Sequence, residues 1–114
     1  MIKHVVMIRL EGIENKEERL EMATEILNRL DKLPEKIKEI KAYDTGLNIQ
    51  SFDTPNYQDL VLVSDFINLE EMEAYKKHPE HIKVVEFIKE LGGAFTSVDY
   101  EYYFFKSLKN SDRY

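Results

Sequence analysis

The chain has 114 residues, 43% hydrophobic and 33% charged, the length and balance of one globular domain, which excludes intrinsic disorder. Acidic residues outnumber basic ones 22 to 16, a net charge of −6 with no basic cluster, and this excludes a general nucleic-acid binder. The absence of cysteine excludes disulfides, thiolate metal sites and a Cys nucleophile, and it suits a reducing cytoplasm.

Residues 2–10 read as a strand. Ile2, His4, Val6, Ile8 and Leu10 fall on one face and Lys3, Val5, Met7 and Arg9 on the other. The segment is too short and too alternating for a signal peptide, and no apolar run in the chain approaches the ~20 residues of a membrane span. The expectation is a cytoplasmic domain with no membrane partner. After Gly12, Asn15-Lys16-Glu17-Glu18 has the form of a capping box and predicts a helix. Leu20, Ala23, Ile26, Leu27, Leu30 and Leu33 supply its apolar stripe, Glu25 and Arg29 a surface pair, and Pro34 its stop.

A second strand is predicted over residues 39–48, a loop over 50–56 and a third strand over 57–66. The run Leu60-Val61-Leu62-Val63 predicts a central strand covered on both faces. Asn68-Leu69-Glu70-Glu71 repeats the cap signature and opens a helix to about residue 77. His78-Pro79 breaks it, because proline disfavours helical geometry in the residue before it and suits the first turn of a new helix. Ile82, Val85, Ile88 and Leu91 carry the second segment to Gly92-Gly93. A fourth strand is expected over about 94–104, followed by a polar tail at 106–114 beyond a domain of residues 1–105. The order βαββαβ predicts a ferredoxin-like α+β fold, an antiparallel sheet with helices on one face.

Both faces of the first and third strands are apolar in part. A wet sheet face of that kind favours association, so a sheet-to-sheet homodimer is expected. Val5 and Leu62 are the chosen probes of the shared face, and the aromatic run Tyr100, Tyr102, Tyr103, Phe104 and Phe105 suits a strand that reaches a partner.

The chain has three histidines. His78 and His81 flank the helix break and His4 lies on the first strand. Imidazole is the side chain whose ordinary pKa allows proton transfer near neutrality. His81 lies in the first turn after Pro79, where the helix dipole disfavours imidazolium and leaves the ring available as a base. Tyr75 lies a turn before the break and offers a phenolic donor. If the face of His4 meets the helices, His4, Tyr75, His78 and His81 border one cavity walled by Val6 and Ile8. Two plainer readings stand beside this one. A His before Pro caps a turn, and a strand His on an apolar face is a satisfied core residue. Zn or Cu would accept imidazole, but without cysteine or a third ligand at close spacing no metal is expected. Glu70, Glu71, Glu73 and Glu80 read as a solvated helix face.

The opening Met1-Ile2-Lys3-His4-Val5-Val6-Met7, the strand Tyr57–Phe66, the segment Ala74-Tyr75-Lys76-Lys77-His78-Pro79-Glu80-His81 and the ending Val98-Asp99-Tyr100-Glu101 resemble the stress-responsive α/β-barrel domain (Dabb) proteins over about residues 1–103. The resemblance implies a ferredoxin-like subunit whose sheet pairs with a second copy to form a dimeric α/β barrel. Most such proteins lack a known reaction. Some are plant stress proteins, and one branch is a polyketide cyclase that closes a β-keto chain by aldol condensation. That branch uses a His of the His-Pro-x-His break and a nearby Tyr, which correspond here to His81 and Tyr75, with His4 and His78 near the same pocket. The expectation is a homodimeric Dabb-domain protein with a small, largely apolar ligand pocket and no cofactor. The alternatives are a cyclase-type enzyme with His81, Tyr75 and His4 as catalytic residues, a purely structural or assembly protein, and, more distantly, the monooxygenase-like relatives of the same architecture.

Overall fold

A computed structural model describes residues 1–50 and 57–103. The expectations for loop residues 51–56, for Phe104 and Phe105 and for the 106–114 tail lie outside the described residues. The elements follow in the order β1 (Ile2–Leu10), α1 (Lys16–Leu30), α2 (Leu33–Lys36), β2 (Ala42–Leu47), β3 (Leu60–Phe66), α3 (Leu69–Lys77), α4 (Pro79–Glu90) and β4 (Gly93–Glu101). One four-stranded sheet in the order β2-β3-β1-β4 is antiparallel at every pairing. This is the ferredoxin-like α+β fold.

The N-cap half of each expected capping box is present. Asn15 Oδ1 accepts from Glu18 N–H at 2.9 Å to start α1, and Asn68 Oδ1 accepts from Glu71 N–H at 2.9 Å to start α3. Glu25 pairs with Arg29 Nε at 3.0 Å. Pro34 does not simply stop α1. The helix ends at Leu30, and Pro34 sits in the first turn of the short α2, where a missing N–H costs nothing. α2 and the turn after it keep β2 to Ala42–Leu47 rather than residues 39–48.

Two apolar positions expected in the helix stripes face out. Leu20 is 44% exposed, and Arg19 takes the inward place, its Nε donating to Ile13 O at 2.9 Å while its guanidinium covers the Tyr57 ring. Ile82 is 42% exposed, and the buried positions of α4 are Val84 and Ile88. The break at His78 sets the rotational phase of α4, and that phase points residues 81, 84, 85 and 88 at the sheet.

The core lies between one sheet face and the helices. It is formed by Ile2, Val6, Ile8 and Leu10 of β1, Leu60, Leu62 and Phe66 of β3, Ala23, Ile26 and Leu30 of α1, and Met72, Tyr75, Val84 and Ile88 of α3 and α4. The register pairs Val6 with Leu62, so Leu62 belongs to this core and not to the opposite face with Val5. Val5 pairs instead with Val63 and Val98. β3 is internal in the sheet as expected, but its second face, with Val61 and Val63, is only half-buried within this chain. Gly92 joins α4 to β4 at φ 76°, and a Cβ there would stand 2.8 Å from Gly12 Cα, so this crossing of two turns requires glycine.

Candidate functional site

The sheet register builds the site's floor. His4 lies opposite Ser64 on one side and Asp99 on the other, and Ser64 lies opposite Tyr43. Tyr43, Ser64, His4 and Asp99 therefore form one polar row across all four strands, on the face that otherwise carries the apolar core. Alternation alone places Asp99 on one face of β4 with Phe95 and Ser97. Only the cross-strand register brings it to His4.

His4 is buried, and its Nδ1–H donates to Asp99 Oδ1. Lys76 Nζ reaches the other oxygen, Asp99 Oδ2, at 3.8 Å. The His4 ring meets Phe66 and Tyr75 edge-on, with centroids 6.4 and 6.2 Å away. Tyr75 is fully buried, and its ring lies 4.9 Å from Phe66 and 4.3 Å from His81. The helix break thus lowers His81 onto the aromatic cluster that covers His4.

The two histidines of the break differ in role. His78 caps α4, its Nδ1 accepting from Glu80 N–H at 3.1 Å. It does not line the cavity, contrary to the sequence expectation, because the ring is turned back along its own helix. His81 Nδ1 lies 3.0 Å from Lys76 O, a carbonyl near the end of α3. A carbonyl can only accept, so Nδ1 carries the proton and Nε2 holds the lone pair of the neutral ring. Burial lowers the His81 pKa, and the nearby His4, Lys76 and His78 lower it further, while the bond to Lys76 O opposes them. The ring is thereby held in its basic, uncharged form near neutrality.

Burial pushes the Tyr75 phenol up to about 12, so it is a hydrogen-bond donor and not a phenolate. The Tyr43 hydroxyl is raised by burial first and then by Tyr75 beside it. The hydroxyls of Tyr43, Ser64 and Tyr75 are buried, and apart from the interaction of the two phenols with each other none makes a well-formed hydrogen bond among the described residues.

His4, Tyr75 and His81 border a cavity of about 340 Å³ between β1, β4 and α4, which Tyr43 and Ser64 do not reach. Its lining includes His4, Val6, Ile8, Tyr75 and His81, together with Lys76, Val84, Val85, Ile88, Lys89, Phe95 and Ser97. The helices stop short of the sheet's edge, which leaves Phe95 of β4 39% exposed at the mouth. Among the described residues no three His, Asp or Glu side chains converge as metal ligands would, and no helix is long and apolar enough to cross a membrane.

The model of the stress responsive A/B barrel domain matches residues 2–102. A dimeric ferredoxin-like protein of unknown function from Bacteroides fragilis is 30% identical, with a TM-score of 0.76 over 89% of this chain and 95% of that one. A second such dimeric protein, from Thermobifida fusca, is 24% identical, with a TM-score of 0.69 over 89% and 90% of the two chains. A Deinococcus radiodurans protein provisionally named an antibiotic biosynthesis monooxygenase shares the fold at 13% identity, with a TM-score of 0.64 over 90% and 91%. None of the curated proteins matches the chain significantly. The opening Lys3-His4, the His78-Pro79-Glu80-His81 break and the closing Val98-Asp99-Tyr100 all fall within the matched residues, and the chain belongs to the stress responsive A/B barrel domain family.

Proposed function

We propose that this protein is a homodimer that binds a small, largely apolar carbonyl compound in the His4–Tyr75–His81 cavity and enolises it there. The supporting observation is the pairing of His81 and Tyr75 on one wall. His81 is held with its proton on Nδ1 by Lys76 O, and the buried Tyr75 hydroxyl, with the Tyr43 phenol beside it, has no acceptor for its own proton among the described residues. In this reading His81 Nε2 takes the proton from the carbon beside the carbonyl, and the Tyr75 O–H donates to the oxygen that becomes the enolate. In a compound with a second carbonyl, the enolate carbon forms a bond to that carbon and the new alkoxide takes the proton back from His81, an aldol closure. Asp99 fixes the orientation of the His4 ring beside Tyr75, which gives His4 a positioning role. An apolar wall with a few convergent polar groups is the usual make-up of a small-molecule site.

The test is deuterium uptake at the α-carbons of 2-nonanone in D2O, followed by NMR. The protein should accelerate uptake, and His81→Ala should lose at least the ~10²-fold typical of a general base while keeping its fold by circular dichroism. Equal acceleration by the wild type and His81→Ala would refute the role of His81. If 2-nonanone shifts no amide resonance of the cavity residues, the cavity is not its site and the whole reading falls.

A further inference from the structure

The cavity is a slot with unlike ends. His4, Tyr75 and His81 form one end, and Ile8, Ile88 and Phe95 wall the other, where Lys89 stands at the rim. His81 and Lys89 lie on the same helix, separated by about 12 Å along its axis at ~1.5 Å per residue. The floor has a similar length, since His4 to Ile8 spans about 13 Å of strand. The register sets Phe95 beside Ile8 and Asp99 beside His4, so β4 repeats the change from polar to apolar. A cavity of about 340 Å³ lies at the small end of the range that ligand sites span. Drawn out over that length, it suits one unbranched chain.

The charges differ between the ends. Lys76, at the polar end, is offset by Glu73 Oε1 and Asp99 Oδ2, each 3.8 Å from its Nζ. The Lys89 ammonium has no hydrogen-bond or ion-pair partner among the described residues. As a residue of the last turn it also suits the negative end of the α4 dipole, but that role does not require a place in the cavity wall. The second polar demand is at the other end, where the fully buried Tyr75 hydroxyl lacks an acceptor.

We infer that the slot is built for a slender monoanion, an unbranched oxo acid with its carbonyl at Tyr75 and His81 and its carboxylate at Lys89. The assignment rests on the carbonyl-binding reading above and adds the class of compound: a chain of about nine carbons with the ketone remote from the acid. Lys89 is the specificity residue, and Val6, Val85 and Ile88 contact the methylene chain between the two polar ends.

The experiment is calorimetric titration of the full-length protein with 8-oxononanoate, its methyl ester and 2-nonanone. The oxo acid should bind at least tenfold more tightly than either neutral compound, and the preference should shrink as salt is raised. In Lys89→Met the ratio should fall to within twofold of one. Lys83→Met, on the outer side of α4, should keep it. A wild-type protein that does not distinguish acid from ester overturns the inference, and so does a preference that survives in Lys89→Met. In either case 2-nonanone that still binds and still exchanges through His81 leaves the carbonyl-binding reading standing. If none of the three compounds binds, both fall together.

Discussion

His78 and His81 are separated by one helical turn and do different work because the backbone between them changes direction. His78 is extended, at φ −64° and ψ 134°, so its ring reaches the N–H of Glu80 and closes the open start of α4. His81 is inside the helix, against Tyr75, and its Nδ1–H is held by a carbonyl near the end of the preceding helix. Burial is the largest cause of its lowered pKa, and this has a definite sign in pH. The unfolded chain takes up the proton near the ordinary value of 6.5, before the folded one does. The His81 contribution to stability is therefore complete above about pH 6.5 and declines as the pH falls through the window below it. Urea midpoints from pH 8 to pH 5 should show wild type losing stability relative to His81→Gln only on the acid side. The same shift places the acid limb of the enolisation profile below pH 6.5, since the free base persists there. A limb at or above that value would show an imidazole unaffected by its surroundings.

At the scale of elements, ends and crossings are fixed by single polar groups. Asp59, just before β3, is fully buried, and its Oδ2 accepts from the N–H of Leu10 at the end of β1 at 2.6 Å. Its own N–H donates to Ile8 O at 2.8 Å, so one residue ties the start of β3 to β1 twice. Burial raises its carboxyl above the ordinary range, while the bond from Leu10 and the charges of Arg19 and Arg9 pull it back. Asp59→Ala should cost about 1–3 kcal/mol in urea unfolding, because the buried Leu10 N–H loses its acceptor. A change within a few tenths of a kcal/mol would mean that the link carries no weight. Arg19 shows the same logic at the start of α1. A charged side chain displaces Leu20 from the inward position because the carbonyls of Ile13 and Glu14 are there to receive its donors.

For the whole molecule, the determining feature is that the helices cover one face of the sheet. On the other face Val5, Val61 and Val63 remain half-buried, Met7 is at the exposed margin, and Val98 is 56% exposed. A polar rim borders them, in which Tyr102 O–H donates to Asp65 Oδ2 at 2.6 Å and Lys3 Nζ lies 3.2 Å from Asp65 Oδ1. Apolar sheet faces of this kind are commonly covered by a partner. The ferredoxin-like relatives from Bacteroides fragilis and Thermobifida fusca are dimeric. Light scattering at micromolar concentration should give twice the chain mass. Val5→Glu should give the single-chain mass with native circular dichroism, because it places an unpaired charge in the shared layer and not in the core. A wild-type protein that runs as a monomer would refute the shared face. Leu62→Glu cannot serve as this probe, since it would put its charge among the core side chains facing Val6.

The order of elements, the caps at Asn15 and Asn68, the break at His78-Pro79 and the two-faced strands are all legible in the chain, because each depends on contacts within a few residues. Alternation along β1 also suffices to group His4 with Val6 and Ile8, whereas the meeting of Tyr75 with His81 depends on the angle that the break sets between α3 and α4. Other features have no local signal. Nothing near Asp99 marks it as the partner of His4, nor Tyr43 as the neighbour of Tyr75, because the first meeting depends on strand register and the second on how α3 packs over the sheet. Lys89 reads in the chain as one more basic residue near a helix end, and only the phase of α4 against β1 and β4 makes it part of the cavity rim. Leu20, Ile82 and Leu62 are apolar at the expected spacing, yet their burial is set by which neighbour arrives across the fold. Local chemistry determined the main strands and helices and their caps, though not the end of α1, the short α2 or the bounds of β2. Long-range packing alone decided which side chains meet, because a side chain's neighbours come from segments whose separation in the chain carries no periodic trace.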